Sequence, residues 1–298
     1  MAATLAQRLG FGPDERVAVV HCDDIGMCHA ANQGAFEALR RGPATCGSLM
    51  VPCPGFPEAA ELARASPGLD LGVHLTLNAE WPRLRWGPVA GAAAVPSLVD
   101  EKGGLLPTTR ETLERARPEH VELELRAQIE RALATGIDVT HLDAHMGTAL
   151  LPPLGTIYAA LARDYRLPVF AVRPDPAALR AAGVPGAEGF FAALAGALEA
   201  AGVPLLDGFD ANSLGFAPGE GEAHNRSRLR GLRRGVNYLI CHPAQGGPEL
   251  SEICADAHAR DFERGFYGGE AGERALAEAG IRTLGMRALR DLMRSQAW

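Results

Sequence analysis

Lysine is almost missing from this chain: Lys102 is the single one among 29 basic residues. Schiff-base chemistry is thereby confined to one position, and the glycine-lysine phosphate loop of nucleotide hydrolases is excluded. The six cysteines (Cys22, Cys28, Cys46, Cys53, Cys241, Cys254) form no C-x-x-C pair. They are expected to be reduced and buried rather than to form a disulfide framework. No apolar run approaches the ~18 residues that a membrane span needs. Residues 1–15 lack a cationic segment followed by an apolar one, so no secretory signal is read and a cytoplasmic location is expected. The net charge of −7 leaves no basic footprint for nucleic acid. No G-x-G-x-x-G follows the first apolar run, which counts against dinucleotide binding.

What remains is an ordinary globular composition, 47% hydrophobic and 22% charged over 298 residues. That length suits one (β/α) barrel, which needs ~250 residues plus insertions. Short apolar runs at 17–20, 45–51, 69–75, 137–142, 167–172, 203–206, 236–241 and 281–284 read as strands. Helical stretches are read at 30–41, 58–65, 119–134, 158–165, 190–201 and 286–293, the third with Val121, Leu125, Ile129 and Leu133 on one face. The arginine-dense run 226–234 reads as the solvated face of a helix, with an anion site as the lesser reading. Alternating strands and helices signal βα units around a parallel sheet. The fold expected is α/β: a single-domain, irregular TIM-like barrel of seven or eight parallel strands over residues 1–298. The Pro-, Gly- and Arg-rich stretch at about 81–118 is read as an insertion or lid-like excursion. A doubly wound open sheet is the alternative.

The first run, Val17-Ala18-Val19-Val20, passes through His21-Cys22 into Asp23-Asp24-Ile25-Gly26. One aspartate there would serve as a helix cap; two adjacent ones need another role. On a regular strand they would face opposite ways, so the strand is expected to end here, with Gly26 turning both into one cavity. Other strand ends carry His74, then His141, Asp143 and His145, then Arg173, then His242. In a barrel these ends share one face, where the site lies.

Carboxylate and imidazole together suit a divalent metal, and three protein ligands leave a position open. One of the two aspartates, His74, and either His141 or His145 would make such a set. The spacing in His141-Leu142-Asp143-Ala144-His145 does not choose, although His145 lies beyond the strand and has the better reach. If Asp24 binds metal, Asp23 is free as a base, and His242 can supply an acid. The remaining histidine, Asp143 and Arg173 would orient ligands or meet substrate.

Taken in order, Asp23-Asp24-Ile25-Gly26, Ser48-Leu49-Met50, Gly72-Val73-His74-Leu75, Thr140-His141-Leu142-Asp143-Ala144-His145 and Cys241-His242-Pro243 resemble the YdjC-like carbohydrate deacetylases, the chitooligosaccharide and hopanoid-associated deacetylase group. The resemblance spans nearly the whole chain. It implies an irregular (β/α) barrel that removes an N-acetyl group from a small amino sugar with the help of one divalent ion, zinc or magnesium. Position by position it implies Asp24, His74 and His145 as metal ligands, Asp23 as base and His242 as acid. Two departures stand out: His21-Cys22 where the family commonly has Asn-Ala, and Met146-Gly147-Thr148-Ala149 where many members carry further histidines. The substrate side of the pocket is therefore expected to differ. Expected partners are a small N-acetylated sugar, no nucleic acid and no membrane, with a homodimer left open. Two rival readings use the same residues: hydrolysis of another amide or a phosphoester, and a sugar-binding or regulatory protein on a deacetylase scaffold.

Overall fold

The computed structural model describes residues 3–175 and 187–295. Among the described residues seven parallel strands form one sheet: β1 (Arg16–Ile25), β2 (Cys46–Leu49), β3 (Leu71–Leu75), β4 (Val139–Ala144), β5 (Gly208–Asp210), β6 (Gly235–Cys241) and β7 (Ile281–Thr283). Their order is β4-β3-β2-β1-β6-β5, with β7 also paired to β1. β1 is the centre because Val17, Ala18, Val19 and Val20 are wholly buried, as a strand covered on both faces must be. β6 pairs with it from Arg16 to Cys22. The other edge is shared, with β7 alongside Arg16–Ala18 and β2 alongside His21–Ile25.

The gap between β4 and β5 is spanned without a ladder. Parallel bridges join Leu142 to Val169 and Val172 to Leu206. The strand expected at 167–172 is reduced to these bridges, and the one expected at 203–206 forms instead at Gly208–Asp210. Pro168 and Pro204 each remove a backbone donor that a ladder would use. The result is an irregular (β/α) barrel, with helices such as Pro118–Ala134 packed outside.

On that helix Val121, Leu125 and Ile129 are fully buried, but Leu133, expected on the same face, is 39% exposed. Steps of four residues drift about 40° each on a 3.6-residue period, so the third step leaves the buried stripe. Ala132 takes the inward position. The arginine run lies on helix Gly221–Gly231, yet its face is not wholly solvated. Arg228 is buried, bonded to Asp210 and Glu263. Residues 81–118 carry the short turn Pro96–Leu98 and helix Thr109–Arg115, and are anchored by buried Trp86, Leu98, Leu105 and Leu106. All six cysteines are free and buried. Among the described residues no helix is long and apolar enough to cross a membrane.

Candidate metal centre

The strand carrying the two aspartates does not stop at them. β1 continues to Ile25, and its pairing with β2 is irregular between Cys22 and Ile25. There Asp24 adopts a left-handed backbone, φ 61°, followed by Gly26 at φ 93°. An irregularity of this kind re-aims a side chain within a strand. It brings both carboxylates to the cavity side, where an extended backbone would part them. Buried Asn32 holds the turn, accepting from Gly26 N–H at 2.7 Å.

Three ligand-type atoms from three strand ends converge. Asp24 Oδ1 lies 3.3 Å from His145 Nδ1 and 3.6 Å from His74 Nε2, and the two nitrogens are 3.4 Å apart. All three residues are buried. Asp24 Oδ2 accepts from Arg260 at 2.8 Å. Oδ1, though buried, accepts no hydrogen bond among the described residues. An unsatisfied buried acceptor costs about 1–3 kcal/mol, more when charged. The atom is accounted for if it is a ligand. Bonds of ~2.0–2.1 Å at tetrahedral angles would place ligand atoms ~3.4 Å apart, which the three separations match. The donor set therefore fits a divalent ion.

Each imidazole is braced from its far side. His74 Nδ1 donates to Ser48 Oγ at 3.1 Å and lies 2.9 Å from Asp143 Oδ1, while Ser48 donates to Asp143 Oδ2. His145 Nε2 donates to both oxygens of Glu80 at 3.0 Å. In the neutral tautomers these partners select, Nε2 of His74 and Nδ1 of His145 present lone pairs to the cluster. Carboxylates behind metal-ligating histidines commonly orient them in this way.

Electrostatics at the same point favour a cation. Burial alone would lower the His74 pKa, but Asp143 and Asp23 raise it well above its usual value. Burial likewise opposes protonation of His145, yet Glu80 and Asp24 lift it to about 9. Burial pushes the Asp24 carboxyl up, and Arg260 with the two imidazoles pulls it well below the ordinary range. The cluster attracts positive charge strongly at the point where its ligand atoms converge.

Asp23 stands beside the triangle rather than in it. Its Oδ1 is 2.6 Å from His21 Nδ1, and its Oδ2 is 3.8 Å from His74 Nε2 and 3.9 Å from His242 Nε2. His242 follows β6 and donates through Nδ1 to Ser213 Oγ at 2.9 Å, Ser213 in turn donating to Glu263. Its Nε2 thus faces the acids with a lone pair. Burial, with Arg260 acting the same way, lowers its pKa to about 4. Asp23, Asp24, His74, Glu80, Asp143, His145, His242 and Arg260 share a cavity of about 410 Å³ that is also lined by Phe170, Phe209, Tyr238 and Ile240.

Two residues singled out in the sequence lie elsewhere. His141 is fully buried and meets His21 rather than the cavity. The Arg173 side chain is 54% exposed and pairs with Glu199 outside it. Glu80, Ser213, Arg260 and Glu263 are site residues that the sequence reading missed. Glu80 and Ser213 sit on irregular segments and the other two on helix Ala257–Tyr267, where no strand-end pattern marks them.

A (β/α) barrel with an Asp-His-His cluster at the carboxyl ends of its strands is an arrangement that could hold a metal ion. More narrowly, the chain belongs to the YdjC-like protein family, whose family model matches residues 17–278. It is 45% identical over 182 residues to a carbohydrate deacetylase of Thermus thermophilus, covering 61% of each chain. It is 30% identical over 158 residues to a chitooligosaccharide deacetylase of Yersinia enterocolitica, covering 52% of this chain and 59% of the relative. The chain thus spans about three-fifths of the length of these curated relatives. A crystal structure from Enterococcus faecalis, of a proposed cellobiose-phosphate cleavage protein, superposes with a TM-score of 0.76. It is 25% identical, and the match covers 92% of this chain and 99% of that one.

Proposed function

We propose that this chain is a divalent-metal-dependent hydrolase that removes the N-acetyl group from a small amino sugar. The observation carrying the proposal is the buried Asp24 Oδ1, without a hydrogen bond among the described residues, facing His74 Nε2 and His145 Nδ1. The deacetylase names of the relatives supply the reaction class. Asp24, His74 and His145 would hold the ion. A divalent ion there supplies Lewis-acid polarisation of a carbonyl and acidifies water.

Asp23 is the base: Oδ2 faces the cluster and takes the proton of the attacking water. His242 starts neutral, its Nδ1 proton committed to Ser213 and its Nε2 open. The proton taken by Asp23 reaches that Nε2, 3.9 Å away, and is delivered to the departing amine. One proton thus passes from water to leaving group. The apolar lining of Phe170, Phe209, Tyr238 and Ile240 suits the C–H face of a sugar ring, and the polar lining suits its acetamide.

Amide hydrolysis needs that delivered proton, whereas an aryl acetate has a leaving group that departs as a stable anion. His242→Ala should therefore lower amide turnover about 10²-fold or more and aryl acetate turnover only a few-fold, with metal content unchanged. Equal losses on both substrates would remove His242 from the role of acid.

Glu80→Gln should weaken divalent-ion affinity about 10–100-fold by loosening the grip on His145. Titration with zinc in a competing chelator measures it, and an unchanged affinity would show that Glu80 does not support the ligand.

A further inference from the structure

The chemistry proposed above makes no use of His21. It sits in β1 two residues before Asp23, fully buried, with Nδ1 2.6 Å from Asp23 Oδ1. Its Nε2 lies 2.8 Å from His141 Nε2. The Tyr238 ring stacks on it at 4.7 Å, with 28° between the planes. Gly72 makes room for this arrangement: a Cβ there would come within 2.7 Å of two His141 ring carbons. His21 cannot turn without breaking all three contacts.

Proton directions can be read from the far end of this chain of contacts. The Thr140 hydroxyl donates its one proton to Asp70 Oδ1. Its oxygen is then left to accept from His141 Nδ1, 2.9 Å away. Burial, and next His21, lower the His141 pKa to about 3, so that ring is neutral and its Nε2 carries a lone pair. His21 Nε2–H must be the donor between the two rings. The 2.6 Å contact from Nδ1 to Asp23 Oδ1 is a short hydrogen bond between imidazole and carboxylate. Asp23 Oδ2 takes no part in this chain and faces the cluster.

We infer that His21, locked by His141 and Tyr238, is a positioning residue that grips Asp23 through Oδ1 and so aims Oδ2 at the attacking water. The inference rests on the reading of Asp23 as the base. The terminal torsion of an aspartate is broad, and a misplacement of ~1 Å in a reacting group can cost ~10²-fold.

His21→Leu keeps the bulk and removes both nitrogens. His21→Asn places an amide N–H where Nδ1 stands, restoring the bond to Asp23 without the one to His141. His21→Leu should lower kcat about 10²-fold with KM and metal content near wild type, and His21→Asn should recover most of that loss. Added to Asp23→Asn, the leucine change should cost nothing further, because its effect passes through Asp23. A further full loss in that background, or an Asn variant as poor as the Leu variant, overturns the inference. Proton NMR gives a readout apart from turnover: the proton in the Nδ1–Oδ1 hydrogen bond should resonate far downfield, move upfield in Asp23→Asn and vanish in His21→Leu. Its absence from an active wild type also overturns the inference. Its presence in a metal-loaded protein that releases no acetate sinks the deacetylase reading, and with it the purpose of the link, while the link itself stands.

Discussion

Protein purified without chelator should carry about one divalent ion per chain, and His74→Ala should lose it. Three strand ends supply the set, and each member contributes one of three atoms 3.3–3.6 Å apart. Removing one of three ligands should cost more than the ~10–100-fold that a supporting residue contributes. Asp24→Ala should behave alike, with a second consequence. Arg260 is buried and donates to Asp24 Oδ2. Losing the carboxylate leaves buried Arg260, among the described residues, with the Asp256 ion pair on its Nε and the Trp81 ring, so this variant should also be less stable. Elemental analysis and thermal unfolding separate the two effects. Stoichiometric metal retained by both variants would remove the ligand assignment.

Asp23→Asn should do the reverse, keeping metal and losing turnover by about 10²–10⁴-fold. The basis is that the neighbouring acids face different partners. Asp24 Oδ1 closes the triangle, whereas the nearest cluster nitrogen to Asp23 Oδ2 is 3.8 Å away and its other oxygen is bonded to His21. The left-handed backbone at Asp24 accompanies this difference, since a regular strand would point the two carboxylates to opposite faces. If Asp23→Asn loses the metal and Asp24→Asn keeps it, the roles are exchanged.

The parts legible in the sequence were those marked by an abrupt change from apolar to polar. Asp23, Asp24, His74, Asp143, His145 and His242 each stand at or just past the end of a buried run, and the barrel carries all of them to one cavity. The choice between His141 and His145 needed coordinates. His141 lies inside β4 and turns toward His21, while His145 stands one residue past the strand, before a turn with φ 52° at Met146 and 67° at Gly147. Spacing cannot report such dihedrals. The same limit hid the irregularity in β1: a strand end was expected where a left-handed Asp24, followed by Gly26 at positive φ, re-aims a strand that continues to Ile25. Arg228 misled for a different reason. Composition sees an arginine-rich surface, but buried Glu263 and half-buried Asp210, far apart in sequence, draw one guanidinium into the interior.

Acetate release from a panel of small N-acetylated amino sugars, measured before chelation, after it and after adding back a divalent ion, tests the proposed activity most directly. The expected result is release from at least one sugar, abolished by chelation, restored by the ion and lost in Asp23→Asn. Metal-loaded wild type that releases no acetate from any member of the panel, while cleaving a phosphoester or only binding sugar, would contradict it.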